Sequence, residues 1–424
     1  MNYSFKLFLF AGLILGFYGQ GQTSLTLEKC QEEARLNYPL ISKYDLITKT
    51  KEFSVSNASK GYLPQLSVSI QASYQSEVTQ IPISMTVSET GITIPTLDKA
   101  QYRIYGEISQ VVYDGGIIRQ QKKSIETNEK VQMASLDVEL YKIKNRVNEL
   151  FFGCLIIDKQ LKQNSLLQTD LQLGINKTIA LIANGSAYRS NADVLKAELL
   201  NAKQQETELD ATRKGYLEML GQFINQSLNE TTKLIIPDWP FLSDEIHRPE
   251  LAFFAARNSV LDVQKNQISA RNLPKFNLFF QGGYGRPALN MMSNDFNTFY
   301  IGGLRLYWGI ESLYTSWKEK ELLSIIQQQI ASEKETFLFN TSLETKQQTE
   351  ALNKYRGLLK SDDAIIVLRN NVKTASAAQF ENGVISSSDF LRDVNAEDLA
   401  RQRKILHEIQ LLMTAYQLKN TKGN

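Results

Sequence analysis

Metal binding, thiol chemistry and general acid–base catalysis need His, Cys, Asp or Glu brought to fixed spacings. The 424-residue chain holds two histidines, His247 and His407, and two cysteines, Cys30 and Cys154. Neither histidine has Cys, Asp or Glu at metal-ligand spacing, and no glycine-rich phosphate loop or nucleophile elbow is present. These absences point away from an enzyme and from any metal or cofactor. The residues that stand out instead form two turns of the form Gly…Asp-[Val/Phe]-Leu. One runs from Gly185 to Asp193 and the other from Gly383 to Asp389. Each breaks a long proline-free run, and an aspartate in that place can simply cap the helix that follows. Their meaning depends on the elements that hold them.

Those elements are long helices. Leu136, Leu140, Ile143, Val147, Leu150, Cys154, Ile157 and Leu161 follow one another at spacings 4, 3, 4, 3, 4, 3 and 4. This is a coiled-coil seam, and it makes Cys154 a buried small hydrophobe. Pairing of Cys154 with Cys30 stays open for an exported chain. Lys142, Lys144, Arg146, Glu149 and Lys159 fall off the seam and are expected to face water. A helix of this length spans about 90 Å, far more than a globular domain needs. The break at 184–193 and the helical run after it predict a helical hairpin over 117–223. A proline-bearing linker follows at 225–250. A second hairpin is expected over 313–418, broken at 381–389.

The start of the chain reads as an export signal. Lys6 is the sole charge in 1–21, "LFLFAGLILGF" is a short apolar core, and Gly19 and Gly21 suit cleavage after Gly21. A retained anchor is disfavoured by the shortness of the run, and the charged stretch before Cys30 is no lipobox. A net charge of +2 without a basic stripe gives no sign of nucleic-acid binding.

Between the helices lie alternating segments. In "GYLPQLSVSIQASY" (61–74) Leu66, Val68, Ile70, Ala72 and Tyr74 share one face, and Gln65, Ser67, Ser69, Gln71 and Ser73 share the other. A shift of 210 residues lays Pro39 on Pro249, Ser59 on Ser269, Leu63-Pro64 on Leu273-Pro274, Gln71 on Gln281 and Tyr74 on Tyr284. Strands are expected at about 62–74, 101–113, 274–284 and 299–308. The chain then divides into a signal at 1–21, a first repeat at 22–235 and a second at 236–424.

A half-buried soluble sheet is the ordinary meaning of such alternation. Here the helices use their apolar stripes on each other, so no segment is left to cover the sheet. Strands of about ten residues can cross a bilayer when tilted. A sheet in lipid must close on itself. One chain supplies four strands; three chains supply twelve, wide enough for a water-filled lumen. Tyr102, Tyr284, Tyr300, Tyr307 and Trp308 fit an interfacial aromatic girdle or ordinary packing. A general porin would need more strands and no long helices. A non-conducting periplasmic helical scaffold is the competing reading, and it leaves the strands unexplained.

Several of these segments together resemble the TolC-like outer-membrane efflux proteins. In chain order they are "LEKCQEEARLNYP", "LPQLSVSIQ", "QVVYDGG", the Gly185 turn, "RPEL", "LPKFNLFFQ" and the Gly383 turn. The resemblance implies a mostly α chain with transmembrane β-strands. It implies a homotrimer with a 12-stranded barrel in outer-membrane lipid and a coiled-coil tunnel of helical hairpins in the periplasm of a Gram-negative cell. It further implies work with a periplasmic adaptor (membrane fusion) protein and an inner-membrane transporter of RND, ABC or MFS type, in efflux or type I secretion, without a cofactor. The matched tip and entrance positions are Gly185, Asp193, Phe380, Gly383, Asp389 and Arg392. The first Gly–Asp spacing is eight, against six in the second, which predicts two extra residues in the first turn. Some members carry an aspartate where Arg392 stands, so a double acidic ring is not expected here.

Overall fold

The computed structural model describes residues 24–79 and 96–424. The segment read as a signal, 1–21, and most of the loop expected between the first two strands lie outside the described residues. The elements run in chain order: β1 (Ser24–Leu25), α1 (Leu27–Asn37), α2 (Lys43–Ser59), β2 (Gln65–Tyr74), β3 (Ala100–Tyr113), α3 (Ile117–Ala183), α4 (Arg189–Ile224), β4 (Lys233–Leu234), α5 (Pro249–Arg271), β5 (Lys275–Arg286), β6 (Asn297–Tyr307), α6 (Leu313–Glu381) and α7 (Ser387–Lys422). Helix, strand, strand, long helix and shorter helix thus occur twice in succession. β1 and β4 form a small parallel pair.

The long helices α3 and α6 have 67 and 69 residues, about 100 Å each at 1.5 Å per residue. The seam on α3 is buried from Leu136 through Ile157, and Leu161 is half-buried. Its centre, Val147, Phe151, Phe152 and Cys154, packs with Leu27, Cys30 and Ala34 of α1, Leu217, Leu220 and Ile224 of α4, and Tyr416 of α7. Cys30 and Cys154 lie in this one cluster as free thiols. Burial pushes both up to about 12. Of the charged residues expected in water, Lys142, Arg146 and Glu149 are exposed and Lys159 is half-buried, while the clearest exception is Lys144. It is half-buried over the Tyr141 ring at 5.0 Å, and burial lowers its pKa.

The four main strands make one antiparallel sheet in the order β2-β3-β5-β6. Both edges, β2 and β6, are open. The first strand starts at Gln65 and not at 62, because Lys60–Tyr62 form a 3-10 turn and Pro64 has no N–H to pair. The turn from β3 into α3 is built by "YDGG". The Asp114 carboxylate accepts from the Gly116 N–H at 2.8 Å and the Ile118 N–H at 2.6 Å, capping α3. Gly115 has φ +72°, and a Cβ there would sit 2.7 Å from the Ala270 carbonyl, so only glycine fits.

Candidate functional site

The two hairpins end in the same turn. At the first, the Gly185 N–H donates to the Ile182 carbonyl (3.0 Å) and the Ser186 N–H to the Leu181 carbonyl (2.9 Å). At the second, the Gly383 N–H donates to the Phe380 carbonyl (3.1 Å) and the Val384 N–H to the Gln379 carbonyl (2.9 Å). Both are Schellman motifs, with the glycine left-handed at φ +73° and +69°. The helices that follow begin at Arg189 and Ser387, four residues after the glycine in each case. The expectation of a longer first turn is therefore corrected. The two extra residues belong to the first turn of α4, and the position matching Asp389 is Asn191, while Asp193 lies further along α4.

Asp389 is not the N-cap of α7. That place belongs to Ser386, whose hydroxyl accepts from the Asp389 N–H at 3.2 Å, while Oδ2 of Asp389 reaches back to the Ser386 N–H at 3.4 Å. This is a capping box with aspartate in the third position. The Ser386 hydroxyl and N–H, with Arg392 at 3.3 Å, hold the Asp389 carboxyl below its usual range. Arg392 also reaches Asp393 at 3.6 Å, so its charge is shared between two carboxylates. Tyr188, at the N-cap of α4, makes no side-chain cap.

Phe380 is buried and its ring stacks on Phe390 at 5.0 Å. The pair sits with Leu171, Ile175 and Leu195 of the other hairpin. Gly174 makes room for it, since a Cβ there would come within 3.1 Å of the Phe390 ring. Ion pairs tie the two hairpins around this cluster. Lys177 meets Glu381, and Lys373 meets Asp170 at 2.6 Å and Glu397 at 3.5 Å. Asn395 donates to Glu198 at 3.1 Å. The structure thus brings Phe380, Gly383, Asp389 and Arg392 to one end with Gly185 and Asp193. It adds Ser386, Phe390, Gly174 and Lys373. Ser386 was legible in "SSSD", a capping-box pattern. Lys373 was not, because its partner Asp170 lies 203 residues away.

At the opposite end, the sheet has an inverted polarity. Along β3 and β5 the polar-face residues Arg103, Glu107, Asn277 and Gln281 are half-sheltered, while Ile104, Ile108, Leu278, Phe280 and Tyr284 are exposed. Leu66 and Ile70 on β2 are 74% and 78% exposed. On the two central strands the polar face is therefore the more sheltered one. It is less purely polar than the alternation in 61–74 suggests, because Phe279, Phe299 and Tyr307 also lie on it. Tyr307 faces Lys275 there, which removes it from an outward girdle. Tyr102, Tyr284, Tyr300 and Trp308 remain exposed on or beside the apolar face. Among the described residues no helix is long and apolar enough to cross a membrane, and no group of three His, Cys, Asp or Glu is placed to hold a metal. His407 has a partner that the sequence did not show, Asp362 of α6 at 2.8 Å.

No protein-family model and no curated protein matches the chain. Solved structures do. The outer membrane protein VceC of Vibrio cholerae superimposes with a TM-score of 0.67 at 11% identity, over 94% of this chain and 96% of that one. The open-state MtrE outer membrane channel of Neisseria gonorrhoeae gives 0.66 at 13% identity, over 94% and 89%. The CmeC outer membrane channel of Campylobacter jejuni gives 0.64 at 12% identity, over 94% and 85%. With hairpin tips at one end and an open four-stranded sheet at the other, the fold of this chain is that of the TolC-like outer-membrane channels.

Proposed function

We propose that the chain is the outer-membrane exit channel of a tripartite efflux or type I secretion system. It carries cargo passively from a periplasmic adaptor and an inner-membrane transporter to the exterior. The observation that carries this reading is the sheet: one face is apolar and bare, the other is largely polar and half-sheltered on the central strands, and both edges are open. Lipid satisfies the first, a water-filled lumen the second, and closure by further copies the third. Three copies give a 12-stranded barrel from the four strands of each. The doubled order of elements supports a division into repeats at 22–235 and 236–424.

The helices support the same closure. α5 lies between α3 and α6, with Arg271 paired to Glu319, Arg257 to Glu333, and Lys265 donating to Gln327 at 2.6 Å. α2, its counterpart, packs on α3 and the short turns beside it. Its other flank leaves Leu46 and Phe53 exposed. α6 in turn exposes Leu358, Ile365, Leu368 and Val372, at seam spacings 7, 3 and 4. α2 lies beside α3 near Glu129 and Asp137, whereas this α6 seam lies near the level of Asp170, so the two faces are left for different parts of a further copy to cover. No cofactor and no catalytic step is needed, since the transporter supplies the energy. Gating belongs to the tip: the hairpins stay packed when closed and splay when the adaptor engages Gly185, Asp193, Phe380, Gly383, Asp389 and Arg392.

The test is electrical. Detergent-purified protein added to a planar bilayer should give discrete conductance steps. Protein that inserts without conducting, or does not insert, refutes the channel reading.

A further inference from the structure

The polar sheet face carries more than polarity. Strand register stacks four charged levels on it, from the helical end outward. Lys275 stands opposite Tyr307, Arg305 opposite Asn277, Glu107 opposite Gln281, and Arg103 opposite Gly285. Each cation lies over an aromatic ring of the same face. Lys275 is 5.9 Å from the Tyr307 centroid, Arg305 is 4.4 Å from Phe279, and Arg103 is 5.6 Å from Phe299. The one carboxylate, Glu107, is 18% exposed and already engaged, by Arg305 at 3.4 Å and the Gln281 amide at 2.5 Å. Lys275 and Arg103 have no carboxylate partner among the described residues. Each chain therefore presents three cations and one anion, a net +2, on this face.

Glycines hold the charges to the wall. A Cβ on Gly283 would sit 2.9 Å from the Phe299 ring, and one on Gly303 would sit 3.2 Å from the Phe279 ring. Without those Cβ atoms the rings lie flat on the sheet and the guanidinium groups lie on the rings. The cations are thus drawn against this face of the sheet.

On the channel reading above, we infer that the barrel lumen is an anion-selecting surface, with Arg103 and Lys275 as its specificity-determining residues. Rings of Lys and Arg select anions as rings of Asp and Glu select cations. A lumen walled by low-dielectric sheet focuses the field of such rings. The cargo class this favours is anionic, with aromatic anions able to use the ring faces as well.

The experiment is a reversal-potential measurement on the full-length mature oligomer in planar bilayers under a KCl gradient. The unaltered channel should prefer chloride. The double variant R103Q/K275Q, which breaks no carboxylate pair of the described residues, should lower the chloride-to-potassium permeability ratio by about twofold or more, with conductance steps and oligomer mass retained. Glu107→Gln should move the ratio the other way. A potassium-preferring parent channel, or a double variant with an unchanged ratio, overturns the anion assignment and leaves the channel standing. Absence of any conductance step overturns the channel reading and this assignment with it.

Discussion

The rings of Phe380 and Phe390 lie parallel, 5.0 Å apart with 2° between their planes, one on α6 and the other on α7. Both are buried in a cluster with Leu171, Ile175 and Leu195, so this stack joins the two hairpins of one chain at their tips. Phe390→Ala should cost about 3–5 kcal/mol, as for other buried Phe→Ala changes. The loss should be local. Hydrogen exchange should accelerate in the last turns of α6 and the first turns of α7, with the cluster around Val147 and Phe151 unaffected. Uniform acceleration along the chain would contradict the assignment of the stack to the tip.

Gly383 is left-handed, yet a Cβ there meets no atom within 4 Å. Its substitution therefore tests backbone conformation alone. Gly383→Val should strain the turn by about 1–2 kcal/mol and alter export or adaptor coupling while the oligomer stays folded. Normal export in this variant and in Asp389→Ala would remove the tip from the gating mechanism.

The capping box sets a pH dependence with a definite sign. Ser386 and Arg392 hold the Asp389 carboxyl below its ordinary range. The start of α7 is then held by a charged group above the unfolded aspartate value, near 4, and loosens as pH falls through the lower folded value. Amide exchange at 387–391 should show this loosening in the parent protein, and Asp389→Asn should abolish the dependence. An Asp389→Asn tip with the same pH profile would assign the transition to another group.

Cys30 and Cys154 are buried neighbours in one core, with thiols pushed up to about 12. Neither should react with maleimide in the folded protein at neutral pH, and both should react in denaturant without reductant. Labelling of the native protein, or a reductant requirement after unfolding, would contradict the free, buried state.

Much of this was legible in the chain. The seam from Leu136 to Ile157 marked α3 because a 3.5-residue period survives any tertiary context. The alternation of 65–74 marked β2 because period 2 is equally local. The start of α4 was not legible. Its N-cap is Tyr188, which makes no side-chain cap, while the cap-type residues Ser190, Asn191 and Asp193 lie inside the helix and put the expected start at Val194, several residues too late. Asp389 was read as a cap because its partner Ser386 was passed over. The links that join the hairpins, Lys373 with Asp170 and Asn395 with Glu198, pair residues about 200 apart. No periodicity records such a distance. The charged column on the polar face depends on the register of β5 against β3 and β6. That register follows from pairing across the sheet and cannot be read from any one strand.

The claim on which the rest depends is that four open strands per chain close with those of two further copies. Its most direct test is the mass of the mature protein extracted from outer membranes in detergent, measured by light scattering. The account predicts three chains per particle, obtained only with detergent. A monomer recovered from the soluble periplasmic fraction would contradict it, because the exposed faces of Leu66, Ile70, Ile104 and Leu278 would then have to be covered within a single chain.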